Sequence, residues 1–175
     1  KSSLFSITFL SDSHINSSAV DDEEYPNLSS PPMYFYTARE KLQQFINQSN
    51  IMLPDVVIHL GDVIDGPNPD TSFEMAMQYW NMLDSNISKH ITPGNHDAQH
   101  WGMETVAQAL GYGSREIVAG SKFNESFALS SKGIDIRFIG YDSNLALDGS
   151  YQGESITYMS DTKIAWIESE LLNSP

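Results

Sequence analysis

The chain has 175 residues, 40% hydrophobic and 11% aromatic, enough apolar material for one folded domain and too much for a disordered one. A formal net charge of −14, with only 9 Lys plus Arg, repels nucleic acid and anionic lipid and favours divalent cations. The absence of cysteine excludes disulfides, thiolate zinc sites and cysteine nucleophiles, and no apolar run reaches the ~20 residues of a membrane span.

Residues Leu4 to Leu10 (LFSITFL) read as a short strand that stops at Ser11-Asp12. Asn16 to Pro32 is polar and proline-rich, contains the acidic run Asp21 to Glu24, and reads as a surface loop. Phe35, Ala38, Leu42, Phe45 and Ile46 recur at helical spacing and predict a helix over Met33 to Ser49. Asp55 to Leu60 (DVVIHL) predicts a strand stopped by Gly61-Asp62, and Gly66-Pro67-Asn68-Pro69 a loop. Phe73, Ala76, Met77, Trp80 and Leu83 mark a second amphipathic helix. Ser88 to Thr92 is a strand closed by Pro93-Gly94, and Met103 to Leu110 a helix. Phe123 to Ser130 and Ile134 to Asp142 flank Lys132-Gly133 as a β-hairpin, and Ile164, Ile167 and Leu171 mark a last helix.

The order β-α-β-α-β-α-β-β-α predicts an α/β fold, a layered α/β sandwich with a mostly parallel sheet, in a single domain over 1–175. Sites in such sheets form beyond the carboxyl ends of the strands. Three polar clusters stand there: Asp12-Ser13-His14, Gly61-Asp62-Val63-Ile64-Asp65-Gly66 and Gly94-Asn95-His96-Asp97. A parallel sheet would bring them to one rim. Imidazole and carboxylate without thiolate suit Zn, Mn or Fe. Asp62, with two oxygens, could bridge two ions, and the Asn95 carbonyl would limit negative charge at the second. Two ions roughly 3.5–4 Å apart can clamp a phosphoryl group. The glycines beside Asp62 and Asn95 suit tight turns and close backbone approach.

The strings D-x-H, G-D-x-x-D-G and G-N-H-D, in this order and each after a strand, resemble the first three motifs of the calcineurin-like metallophosphoesterases. The resemblance implies a metallophosphoesterase-like fold and two divalent metal ions. It implies Asp12 and His14 as ligands of one ion, Asp62 as the bridge and Asn95 as ligand of the second. His96 would contact the scissile phosphate with Asp97 orienting it, and Asp65 would support the ligands from behind. The implied reaction is hydrolysis of phosphomonoesters or phosphodiesters by a metal-bound hydroxide. A Tyr in place of Asp65 would be needed for the iron centre of the purple acid phosphatases. The family carries two further histidine motifs, yet no histidine follows His100, so a fragment that stops before them is expected. Lys1, with no Met or signal peptide, agrees with a trimmed chain.

Other readings compete. Asp12 and Asp97 could be caps, His14 a surface residue, and Asp62, Asp65 and Asn95 turn-formers. His59, inside an apolar strand, reads as a satisfied core histidine. His90 has no motif around it, and His100 lies close enough to the third cluster to be considered. Asp12 as a covalent nucleophile would call for Asp-x-Asp, and His14 argues against it. A truncated or degenerate metal-binding module is the alternative to an enzyme. The expected partner is a small phosphoester or nucleotide rather than nucleic acid. Asn-x-Ser sequons at Asn16, Asn27, Asn47, Asn86 and Asn124 favour an exported protein.

Overall fold

The computed structural model describes residues 5–17, 35–65, 68–131, 133–143 and 159–174. The acidic run Asp21 to Glu24, the Asn27 sequon, Met33, Gly66-Pro67 and Lys132 lie outside the described residues. The chain divides into two compact units, one of Ser6–His100 and one of Lys1–Phe5 with Trp101–Pro175.

The first unit is built from two successive strand-helix-strand turns. Strands β1 (Ile7–Leu10), β2 (Val56–His59) and β3 (Ser88–Ile91) form a parallel sheet in the order β1-β2-β3. The register pairs Ile7 with Val56 and Val56 with Ser88, so all three strands end level. β2 is central and buried along its whole length, as its unbroken Val-Val-Ile run requires. Between the strands run α1 (Phe35–Met52) and α2 (Pro69–Trp80), which touch each other. Ala38, Leu42 and Ile46 of α1 are buried at the predicted spacing, as are Phe73, Ala76 and Trp80 of α2. Pro69 opens α2, where its missing N–H costs nothing, and Asp70 lies in the first turn.

One helix departs from the sequence expectation. Asn95–Trp101 is helical (α3), and α4 (Met103–Ala109) follows after Gly102. The segment NHDAQHW has no apolar periodicity, so nothing in its pattern announces a helix.

In the second unit, β4 (Glu125–Ser131) and β5 (Ile134–Gly140) form the predicted antiparallel hairpin. Phe127 and Phe138 pair directly and stack at 5.0 Å. Val106, Ala107, Tyr112 and Phe123 make a small core. The final helix α5 (Asp161–Leu172) is capped by the Ser160 hydroxyl, which accepts the Lys163 amide at 3.1 Å. Its buried residue is Lys163, whereas the predicted apolar residues Ile164 and Leu171 are exposed. The Lys163 ammonium donates to the Asp142 carbonyl at 2.5 Å. Burial lowers its pKa, with Asp142 opposing.

Of the sequon asparagines, Asn16 and Asn124 are buried, where a glycan has no room, while Asn47 and Asn86 are exposed.

Candidate metal centre

Beyond the ends of β1 and β2 the two chains remain hydrogen-bonded to each other. Asp12 N donates to Gly61 O at 3.0 Å, His14 N to Asp62 O at 2.9 Å and Ile15 N to Val63 O at 2.9 Å. The ladder resumes as a bridge between Ile15 and Ile64. Between the strands and this bridge, the backbone takes left-handed φ at Asp12 (57°), His14 (42°) and Asp62 (53°). Each such non-glycine residue costs about 1 kcal/mol. The return is directional: left-handed residues break strand alternation, so Asp12 and His14, two apart, need not point as strand neighbours do.

The third cluster approaches through glycine. A Cβ on Gly61, whose φ is 107°, would lie 2.6 Å from Gly94 N. A Cβ on Gly94 would lie 2.0 Å from Asp62 Oδ1 and 2.2 Å from Asp62 N. No other residue fits at either position, and this contact brings Asn95 and His96 beside Asp62. The His96 amide then donates to Asp62 Oδ1 at 3.0 Å.

The convergence is concrete. His14, Asp62 and His96 each offer a ligand atom, and the three atoms lie within 4.8 Å of one another. Asp12 stands at the rim with its side chain 62% exposed, Oδ1 3.6 Å from His14 Nε2, and accepts a short hydrogen bond from the Ser11 hydroxyl. Asp65 Oδ2 lies 3.2 Å from His96 Nδ1 and 3.7 Å from His14 Nδ1. The two imidazoles meet edge to face at 4.8 Å. Asp65 thus lies on the Nδ1 side of both imidazoles. Asn95 opens α3 next to His96.

Asp97 holds a different place from the one the resemblance implies. Its carboxylate accepts from Ile64 N at 2.9 Å, Gly94 N at 2.8 Å and Val63 N at 3.3 Å. The carboxylate beside the His96 imidazole is that of Asp65. Asp97 is 3% exposed and joins the second cluster to the third through the backbone. Burial raises its pKa to about 6, against the three amide bonds that lower it, with Asp62 adding a smaller upward push.

His59 is buried, as expected of a core histidine, and packs edge-on to Trp80 at 5.9 Å. Burial lowers its pKa to about 4, with Asp12 opposing and His14 adding to the shift. Ser13 contacts it, a residue that motif reading passes over because it occupies the variable place in D-x-H. The His100 side chain lies outside the described residues.

The donors gathered here, imidazole and carboxylate without thiolate, fit a divalent ion of the Zn, Mn or Fe kind. A profile of the calcineurin-like phosphoesterases matches residues 5–170. The chain belongs to the calcineurin-like phosphoesterase family. No curated protein matches this chain. Among solved structures, a dimetal phosphatase from Danio rerio shares the fold, with a TM-score of 0.63 at 18% identity. The likeness covers 94% of this chain and 50% of that one, so this chain spans about half the length of that phosphatase.

Proposed function

We propose that this calcineurin-like chain binds two divalent ions and, as part of a metal-dependent phosphoesterase, hydrolyses a small phosphoester or nucleotide. The observation that carries the reading is the approach of His14, Asp62 and His96 ligand atoms to within 4.8 Å of one another. Three segments far apart in sequence meet there on a backbone that takes left-handed turns at Asp12, His14 and Asp62.

Asp12, His14, Asp62 and Asn95 would hold the ions, which when bound would polarise the phosphoryl group and supply a nucleophile at neutral pH. Zn, Mn and Fe all suit these donors. Asp62 is fixed for this by the His96 amide on its Oδ1. His96 would donate from Nε2 to a phosphoryl or leaving-group oxygen, with the Asp65 carboxylate 3.2 Å from its Nδ1. Asp97 would keep the second and third clusters together. The charge distribution supports cation binding. Ser6–His100 holds three Lys or Arg against thirteen Asp or Glu, so ten of the fourteen net negative charges fall on the unit with the cluster.

The test is hydrolysis of a phosphomonoester and a phosphodiester with Mn or Zn, together with metal titration, for the wild type and Asp62→Asn. Loss of about a hundredfold or more in activity, together with weaker metal binding, is expected in the variant. Equal activity in both proteins sinks the proposal. Tight binding of two ions with no cleavage of either ester would favour a metal-binding module.

A further inference from the structure

His59 and Ser13 form a chain of hydrogen bonds whose directions can be worked out. The Gly61 amide donates to His59 Nδ1 at 3.2 Å. Nδ1 therefore carries a lone pair, and in the neutral ring the proton sits on Nε2. Nε2 lies 2.9 Å from Ser13 Oγ, so it donates there. The Ser13 hydroxyl then gives its own proton to Val63 O at 3.0 Å. Val63 O also accepts Ile15 N at 2.9 Å, which fills both of its lone pairs. The run from Gly61 N–H through the imidazole and the hydroxyl to Val63 O is satisfied in one direction only. A protonated His59 would set two N–H groups against each other.

The chain begins and ends on the two sides of Asp62, and passes through Ser13, which sits between Asp12 and His14. Asp12, His14 and Asp62 are the three non-glycine residues with left-handed φ in the first two clusters. Left-handed turns in non-glycine residues persist only where the surroundings over-determine them. We propose that His59, acting through Ser13, is a positioning residue. It holds the Asp12–His14 turn against the Gly61–Val63 turn, so that the ligand side chains of both face one ion site. The proposal rests on the reading of that site as a metal site, but its hydrogen-bond part can be judged without metal.

The experiment has two arms. Long-range proton–nitrogen NMR of metal-free protein at pH 7 reads the His59 tautomer. The Nε2–H form is expected, and the Nδ1–H form overturns the proposal. Calorimetric titration with Mn²⁺ then compares the wild type with Ser13→Ala, Ser13→Thr and His59→Asn. Asparagine keeps an acceptor near the place of Nδ1 but falls short of Ser13. Ser13→Ala and His59→Asn are expected to weaken Mn²⁺ binding by about tenfold or more, as other supports of metal ligands do. Ser13→Thr, which keeps the hydroxyl, should restore it. A merely structural role predicts a lower melting temperature with unchanged affinity, and that outcome overturns the proposal. If His59→Asn fails to fold, the Ser13 pair decides. A wild type that binds no Mn²⁺ sinks the metal-site reading, and the ligand-positioning role with it. The tautomer then still shows whether the hydrogen-bond chain exists.

Discussion

In the unit that begins at Trp101, Gly102, Gly111, Gly120 and Gly133 have φ between 75° and 92°, and a Cβ on any of them would meet nothing within 4 Å. In Ser6–His100, Gly61 and Gly94 stand where an added Cβ would collide with backbone of the other's loop. The first kind of glycine serves the chain's local path. The second lets two loops pass close enough to share a site. The later unit pairs Lys122 with Glu104 at 2.9 Å and Arg137 with Glu170 at 2.7 Å, and turns its buried Lys163 to the Asp142 carbonyl. Beside Arg137, the Ser126 hydroxyl and then the arginine hold the Glu170 carboxyl below its ordinary pKa. The earlier unit directs the buried groups His59 and Asp97 at the backbone of loops that carry acids and histidines. A parallel sheet that ends in three loops needs such ties, whereas a hairpin closes on itself.

The comparison breaks most visibly through glycine. Gly94→Ala should cost about 3 kcal/mol, from overpacking against Asp62, and abolish metal binding. Gly133→Ala should cost only about 1 kcal/mol, from its left-handed φ, and leave metal binding intact. Chemical denaturation beside metal titration reads both. Equal losses in the two variants would erase the distinction.

Next in size is the pH response of the metal-free protein, where two buried groups oppose each other. His59, lowered from 6.5 to about 4, contributes stability that is present above pH 6.5 and lost as pH falls towards 4. Asp97, raised from 3.8 to about 6, contributes stability that is present below pH 3.8 and lost as pH rises through 6. The two slopes nearly cancel between pH 4 and 6. In Asp97→Asn the His59 contribution should stand alone, with stability falling by up to about 1.4 kcal/mol per pH unit on acidification. In His59→Asn the slope should reverse in sign. Denaturation midpoints at pH 4.5, 5.5 and 6.5 check this, and parallel curves in the two variants would contradict it.

The smallest effect is expected in the later unit. Glu104→Gln weakens an exposed pair with Lys122, the partner whose hydrogen bond and charge lower the Glu104 pKa. Exposed pairs contribute little, so melting temperature and metal affinity should match the wild type. A change in metal affinity would mean that the surface pairs of this unit matter to the site.

Much of this was legible in the residues themselves. The Val-Val-Ile run of β2, the helical spacing of Leu42 and Ile46, and the turn chemistry of the hairpin each report a local preference, and each element formed where that preference lay. The three polar clusters were legible as well, because a strand that ends in Ser-Asp, Gly-Asp or Gly-Asn announces a turn with chemistry on it. α3 was not, since its seven residues lack an apolar stripe. Nor was the buried face of α5, where a lysine went inside because the Asp142 carbonyl was there to receive it.

Sequence by itself determined the order of the elements apart from α3, the donor types and the family, since these depend on residue identity and near-neighbour spacing. Tertiary structure alone decided which carboxylate serves which group: Asp65 beside the imidazoles, Asp97 on the backbone amides. It also turned His59 from a core residue into a tie between two loops. The reason is physical. Adjacent residues on a chain share a sequence motif, but a hydrogen bond is made by direction in space, and the left-handed turns at Asp12, His14 and Asp62 set those directions only once three strands lie side by side.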